Sequence, residues 1–136
     1  MTAGLAIESL PLKSSDDIVK ARQFVRAAAL ETGLSIVDQT KLVTAASELA
    51  RNTVVHGGGG LIRIECLNEG GRRGVRLTLE DQGRGIPDIQ LALKDGYSTS
   101  GGLGLGLSGA RRLSSEFHIQ SQVGKGTTVR ITRWKP

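Results

Sequence analysis

Glycine placement is the feature that most constrains this chain. Nineteen of its 136 residues are glycine, and many of them cluster between residues 57 and 126. A glycine lets the backbone turn tightly and approach other groups more closely than a side chain would permit. The clusters therefore predict a backbone shaped around something that it binds.

The stretches around these clusters have the apolar spacing of regular elements. Helical spacing begins after Ser14, a residue type that caps helices, and ends at Gly33. A second helical pattern begins after Ser35 and continues to about His56. Strands are predicted over residues 3–9, 61–67, 75–80, 117–123 and 127–134, a short helix over 88–94, a loop over 96–102 and a further helix over 103–115.

This order of elements predicts a fold class. A strand, two helices, a hairpin, a loop, a helix and a final hairpin are typical of helices segregated to one face of a sheet. We therefore expect a two-layer α/β sandwich with a mixed, mainly antiparallel sheet and helices on one face. The chain shows no internal repeat and no dividing linker, so residues 1–136 are expected to form a single domain.

Composition argues against several classes of protein. No apolar run approaches the ~20 residues of a membrane span, and the first residues lack the pattern of a signal peptide, so we expect a cytoplasmic protein with no membrane partner. The net charge of +5 is scattered and only four residues are aromatic, which disfavours nucleic-acid binding. Cys66 is the only cysteine, which excludes an intramolecular disulfide and a cysteine-rich metal site.

Two polar residues, Glu48 and Asn52, lie four apart on the second predicted helix. That spacing stacks a carboxylate beside a carboxamide on one flank of the apolar stripe. An Asn oxygen can complete the coordination shell of Mg²⁺ alongside nucleotide phosphates, and a carboxylate one turn away can orient or deprotonate an attacking hydroxyl. The pair gains weight from the acidic and glycine motifs that follow it.

Asp81, followed by Gly83 and Gly85, lies at the end of a predicted strand. A carboxylate there can accept a hydrogen bond from an exocyclic amine such as adenine N6, and the glycines let the backbone turn under a planar base. Taken alone, the motif is equally typical of an acidic strand end followed by a turn.

Two later glycine clusters have alternative interpretations. Residues 104–109 match the dinucleotide fingerprint G-x-G-x-x-G, but a polar loop precedes them instead of a parallel strand. Glycines at a helix start still expose backbone N–H groups to an anion, while a glycine-rich surface turn is the alternative. Residues 124–128 are, taken alone, typical of an ordinary hairpin turn.

In this order the motifs resemble the boxes of the ATPase family of gyrase, Hsp90, histidine kinases and MutL, which share the Bergerat ATP-binding fold. The resemblance spans nearly the whole chain. Small size narrows it to the free-standing serine/threonine kinases that regulate sigma factors, the anti-sigma-factor kinase group. The stretches 47–52, 80–86 and 95–104 look most like the switch kinases of the stressosome. The matching residues are Glu48 and Asn52 in the N box, then Asp81, Gly83 and Gly85, then Gly102, Gly104 and Gly106, and finally Thr127 after the last glycine box.

The resemblance implies a role for each box. Asn52 would coordinate the Mg²⁺ that bridges the phosphates of ATP, and Glu48 would position or deprotonate the substrate hydroxyl. Asp81 would bind the adenine amine, with Thr127 reinforcing that contact. The remaining assignments are Gly83 and Gly85 beneath the base, the second glycine box (Gly102, Gly104 and Gly106) against the phosphates, and residues 96–103 as the ATP lid.

Two points stay open in this assignment. The lid contains no lysine, so the cation that contacts the γ-phosphate is unassigned among Arg51, Arg84 and Arg111. His56 follows the N box and is interpreted as a helix-end residue that satisfies local carbonyls, in preference to a catalytic base.

The function implied by the resemblance is that of an ATP- and Mg²⁺-dependent protein serine/threonine kinase. It would phosphorylate STAS-domain stressosome proteins and, when released, activate a PP2C-type phosphatase. One alternative is an anti-sigma factor that sequesters a sigma factor and is countered by a STAS antagonist. Another is a nucleotide-binding regulator with negligible kinase activity.

Overall fold

Five strands form one sheet, and two long helices cover one of its faces. The computed structural model describes residues 7–94 and 106–136. In chain order, the elements are β1 Ile7–Leu12, α1 Ser15–Thr32, α2 Ile36–Val55, β2 Gly60–Glu69, β3 Arg72–Asp81, α3 Ile89–Ala92, α4 Gly106–Arg112, β4 Glu116–Gln122 and β5 Gly126–Trp134.

Capping residues set the limits of the two long helices. Ser14 Oγ accepts a hydrogen bond from the backbone N–H of Asp17 at the start of α1. Gly33 then ends α1 in the left-handed conformation, with φ of 88°. Ser35 Oγ accepts from the backbone N–H of Asp38 at the start of α2. These limits confirm the predicted helix boundaries at residues 14, 33 and 35.

The strand order is β1-β2-β3-β5-β4, and all four neighbouring pairs are antiparallel. The last strand therefore lies between β3 and β4, and its first residues lie opposite the last residues of β3. This arrangement places the start of the glycine-rich segment 81–85 beside the end of the glycine-rich segment 124–126.

One hydrophobic core lies between the sheet and the helices. Alternate residues of the strands point into it, as expected for a sheet with one covered face. The largest fully buried apolar side chains come from both layers: Leu12, Val25, Leu42, Leu49, Ile62, Val75, Leu77, Leu79 and Ile131. None of the described helices is long and apolar enough to span a lipid bilayer.

The prediction for the first strand was wrong about where the strand ends. Residues 7–9 are in the strand as predicted, but the strand continues to Leu12, and residues 3–6 lie outside the described part of the chain. Leu10 and Leu12 are the buried residues, whereas Ile7 is 60% exposed. The two side chains that face the core thus lie beyond the predicted end of the strand. Pro11 is tolerated because β1 is an edge strand.

An ion pair connects the start of α2 to the end of β5. Arg133 Nη2 donates to Asp38 Oδ1 at 2.7 Å, and Arg133 Nη1 donates to the carbonyl of Leu113, just after α4. The hydrogen bond from Arg133 is the main reason why the pKa of Asp38 lies below its ordinary value of 3.8. Three elements are therefore held together by one guanidinium group.

Trp134 ends β5 at the edge of the core. The residue is 7% exposed, and its Nε1 donates to Glu116 Oε2 at 2.8 Å. The guanidinium carbon of Arg72 lies 4.0 Å from the centre of the ring, a cation–π contact. Trp134 lies opposite Gly74, so it is at the other end of the β3–β5 ladder from Asp81.

Candidate functional site

The N-box residues lie near the C-terminal end of α2. Glu48 and Asn52 are both half-buried and are one helical turn apart. Their neighbours Leu49 and Thr53 are buried in the core, which leaves Glu48 and Asn52 on its flank. Neither side chain makes a hydrogen bond to another described residue. Within that part of the chain, the carboxylate and the carboxamide therefore stabilise the fold through no side-chain hydrogen bond.

The end of α2 turns directly toward the sheet. The backbone N–H groups of His56 and Gly57 both donate to the carbonyl of Asn52, at 2.9 and 3.1 Å. His56 is the C-cap of the helix, which fits its interpretation as a helix-end residue. The next residue, Gly57, contacts the end of β3.

Asp81 is the last residue of β3 and lies against Gly57. A Cβ atom at Gly57 would stand 2.6 Å from Asp81 Oδ2, closer than any side chain could approach. Asp81 Oδ1 accepts a hydrogen bond from the backbone N–H of Gly83 at 3.0 Å. One oxygen of this half-buried carboxylate is therefore held by its own loop, while the other lies beside the end of α2.

Gly83 and Gly85 occupy places where a side chain would not fit. A Cβ at Gly83 would lie 2.7 Å from the Cα of Gly57, so the loop packs directly on the residue that follows α2. Gly85 has φ of 77°, and a Cβ there would collide with the carbonyl oxygen of Gln122 on β4. The loop after Asp81 is thus fixed between the helix end and the sheet edge.

A row of polar residues crosses the sheet at this end. Asp81 lies opposite Thr127 on β5, and Thr127 lies opposite Ser121 on β4. Residues directly opposite each other share a face of the sheet. Leu79 and Val129, two positions away, are buried in the core, so the row is on the helix-covered face. Thr127 Oγ1 is 2.8 Å from Ser121 Oγ.

The structure thus brings the predicted N box and the first glycine box together through Gly57, with Thr127 beside Asp81. Gly106 begins α4, which packs against α2. Gly102 and Gly104 lie outside the described residues, as does the predicted lid over 96–103.

The three candidate cations differ in their surroundings. Arg111 Nη2 donates to the carbonyl of Leu93, just after α3, at 3.4 Å. The side chains of Arg51 and Arg84 are exposed and make no hydrogen bond to another described residue.

The two ends of the candidate site offer different chemical groups. At the sheet end, a carboxylate and a hydroxyl suit hydrogen bonding to a base. At the helix end, a carboxamide oxygen suits a hard cation and a carboxylate suits a hydroxyl proton. Residues 7–94 and 106–136 contain no cluster of three or more His, Cys, Asp or Glu that could hold a metal. A carboxamide oxygen can share a hard cation with phosphate and water oxygens.

Sequence reasoning missed Gly57 and Ser121. Gly57 opens a run of four glycines directly after the second helix, and that run was the available signal. Ser121 had no comparable signal, because its partners Ile86 and Thr127 become neighbours only when β4 and β5 pair.

Comparison with known proteins finds a matching family and similar sequences. The family model described as histidine kinase-, DNA gyrase B- and HSP90-like ATPase matches residues 37–136. The chain is 49% identical over 118 residues to serine/threonine-protein kinase RsbT of Bacillus subtilis (strain 168), covering 87% of this chain and 89% of the relative. An anti-sigma F factor of Thermoanaerobacter sp. (strain X514) is 30% identical over 129 residues, covering 90% of this chain and 89% of the relative.

Solved structures share the fold. A crystal structure of the RsbU and RsbW domains of a Mycobacterium tuberculosis protein superposes with a TM-score of 0.66 at 23% identity, covering 98% of this chain and 34% of that one. A mycobacterial sensor histidine kinase, MprB, gives a TM-score of 0.55 at 17% identity, covering 96% of this chain and 99% of that one. These matches confirm the predicted α/β sandwich with an antiparallel sheet.

Proposed function

The chain belongs to the histidine kinase-, DNA gyrase B- and HSP90-like ATPase family, and we propose that it acts as a partner-switching serine/threonine-protein kinase in stress signalling. The observation that carries this proposal is the 49% identity to RsbT over most of both chains. The presence of Glu48 beside Asn52 favours an active kinase over a passive binder.

ATP is the phosphate donor in this proposal. The amine of adenine is assigned to Asp81 and Thr127, and the base to the surface of the loop containing Gly83 and Gly85. This is supported by the contact of Asp81 with Gly57 and by its pairing with Thr127. The phosphates are assigned to the end of α2 and to the second glycine box, Gly102, Gly104 and Gly106.

Mg²⁺ is proposed as the partner of Asn52. The donor set fits this ion, because a carboxamide oxygen is a hard ligand and Mg²⁺ commonly keeps several waters while it binds substrate phosphates. When bound, it would neutralise phosphate charge. Asn52 would hold the ion through its side-chain oxygen.

Glu48 is proposed as the group that handles the substrate proton. Its carboxylate is one turn from Asn52, so a hydroxyl placed to attack the γ-phosphate could donate a hydrogen bond to it. Glu48 would orient the hydroxyl and accept its proton as the phosphate is transferred. Most of the catalysis would come from positioning and charge neutralisation, since phosphoryl transfer leaves little covalent work for the protein.

The proposed protein partners follow the class of switch kinases. The substrates would be STAS-domain scaffold or antagonist proteins of a stressosome, and the released kinase would bind and activate a PP2C-type phosphatase. A cytoplasmic location is proposed with them, since it supplies ATP to the kinase.

A phosphotransfer assay tests the proposal. The full chain is incubated with γ-labelled ATP, Mg²⁺ and cognate STAS-domain proteins, with EDTA as the control for the metal. We expect label on Ser or Thr of a STAS protein, and none when EDTA is present. Absence of transfer with folded, ATP-binding protein would overturn the kinase assignment.

An anti-sigma factor is the second candidate, favoured by the 30% identity to an anti-sigma F factor over most of both chains. Such a protein would capture a sigma factor tightly and release it to a STAS antagonist. Capture of the cognate sigma factor in a pull-down, without a requirement for phosphotransfer, would support this candidate over the switch kinase.

A further inference from the structure

Ser121, on the edge strand β4, contacts both the first and the last glycine box. Its Oγ accepts a hydrogen bond at 2.7 Å from the backbone N–H of Ile86, which directly follows Gly85. The same Oγ lies 2.8 Å from Thr127 Oγ1 and 3.2 Å from the carbonyl oxygen of Gly126. The Ser121 hydroxyl therefore connects two parts of the proposed adenine site. One is the loop containing Gly83 and Gly85, and the other is Thr127.

The three contacts together fix where the protons lie. A serine hydroxyl has one proton to donate and two lone pairs that accept. The N–H of Ile86 takes one lone pair, and the carbonyl of Gly126 can only accept. If Ser121 donates to that carbonyl, Thr127 must donate to Ser121. This is the only assignment in which all three contacts are hydrogen bonds.

The consequence for Thr127 is that its hydroxyl becomes an acceptor toward the site. Its proton is committed to Ser121, and a remaining lone pair is free to accept. Directly opposite on β3 is the carboxylate of Asp81, which also accepts. Two neighbouring strands thus present two acceptors on the helix-covered face.

We propose that Ser121 is a positioning residue for base selection, because it holds Thr127 as an acceptor and so favours a purine with an amine at C6. This inference rests on the proposed binding of ATP at Asp81 and Thr127. It extends that proposal to a residue that does not itself contact the nucleotide.

The test compares two nucleotides that differ only in the C6 amine. Affinities of the full chain for ATP and for purine riboside triphosphate, which lacks the amine, are measured by calorimetry with Mg²⁺. The unaltered protein is expected to prefer ATP. Ser121→Ala should weaken ATP binding by about threefold to tenfold, the effect of one hydrogen bond, while affinity for the analogue stays nearly unchanged.

Two further variants of β4 make the comparison specific. Ser121→Thr keeps the hydroxyl and is expected to retain the preference for ATP. Gln120→Ala is the matched control, since Gln120 is exposed, adjacent in the strand and on the opposite face of the sheet. It should leave both affinities unchanged.

Equal weakening of both nucleotides by Ser121→Ala would overturn the inference, because it would show that Ser121 only holds the backbone at Ile86. An unchanged preference would also overturn it. If Ser121→Ala does not fold, Ser121→Cys replaces it, because its thiol is a similar size but a weak hydrogen-bonding group, and it must reduce the preference for ATP. If the unaltered protein binds neither nucleotide, the proposed ATP site itself is wrong.

Discussion

Glu48 and Asn52 occupy the same flank of α2 but offer different chemistry. A carboxylate can take up a proton, whereas a carboxamide cannot, and only the carboxamide presents a neutral oxygen ligand. Both side chains are half-buried and neither bonds to another described residue. Their proposed duties are therefore separable by single substitutions.

Glu48→Gln should keep ATP binding and lose phosphotransfer. The amide retains the shape of the carboxylate but cannot accept the proton, so we expect transfer to a STAS protein to fall by about 10²–10⁴-fold. Single-turnover transfer and calorimetric ATP affinity are the measurements. Glu69→Gln, at the exposed end of β2, is the control. Full phosphotransfer activity in Glu48→Gln would show that Glu48 does not act as the general base.

Asn52→Ala should weaken the Mg²⁺-dependent part of nucleotide binding. Loss of the carboxamide oxygen is expected to reduce affinity for ATP by about tenfold when Mg²⁺ is present. Affinity measured in EDTA should change little, since the metal is then absent from both proteins. Equal losses with and without Mg²⁺ would show that Asn52 acts on the helix end instead of the ion.

The ends of the elements carry the proposed site. The end of α2, the end of β3 and the start of β5 converge because Gly57 contacts Asp81 and Asp81 pairs with Thr127. The opposite end of α2 is held separately, by the ion pair between Asp38 and Arg133. That pair connects α2 to the same strand that carries Thr127.

Asp38→Asn should destabilise the fold at neutral pH. Both side chains are largely buried, 12% exposed for Asp38 and 16% for Arg133, so we expect a loss of about 2 kcal/mol in the free energy of unfolding. Urea denaturation followed by Trp134 fluorescence measures it. Asp16→Asn, an exposed aspartate of α1, is the control.

The ion pair between Asp38 and Arg133 also predicts how the free energy of unfolding changes with pH. Because the pKa of Asp38 is held below 3.8 in the folded protein, the stabilisation is fully present above 3.8 and is lost as the pH falls through the lowered value. The difference in unfolding free energy between the unaltered protein and Asp38→Asn should therefore shrink on acidification. A constant difference across acidic pH would contradict the ion-pair interpretation.

At the scale of the whole molecule, the site depends on the completed sheet. Its residues are drawn from positions 48 to 127, and the β3–β5 pairing places Asp81 opposite Thr127. Local signals revealed the parts: Ser14, Gly33 and Ser35 fixed helix limits because caps act within a few residues. Contacts between distant segments had no such signal.

Two such contacts show why sequence reasoning stopped short. The hydrogen bond from Ile86 to Ser121 spans 35 positions, and the one from Arg133 to Asp38 spans 95. Each depends on the register of the sheet, which a single sequence does not display. The end of β1 was also missed, because Leu10 and Leu12 are buried by packing against the rest of the core.

Mg²⁺ and ATP together should stabilise the whole fold. A ligand that binds only the folded state adds a free energy that grows with its concentration, about 2.7 kcal/mol at one hundred times Kd. Urea denaturation at increasing ATP concentration measures this gain. Asp81→Asn should show much less stabilisation at the same concentrations. No gain in the unaltered protein would argue against an ATP site.

The strand β5 carries Thr127 near its start and Trp134 at its end, and Trp134 is the only tryptophan in the chain. Seven residues of extended strand separate them by about 23 Å, at about 3.3 Å per residue. The strand β5 thus sets the distance between the intrinsic fluorophore, Trp134, and the end of the sheet where the adenine base is proposed to bind. Energy transfer from Trp134 to a fluorescent nucleotide would report occupancy without any label on the protein.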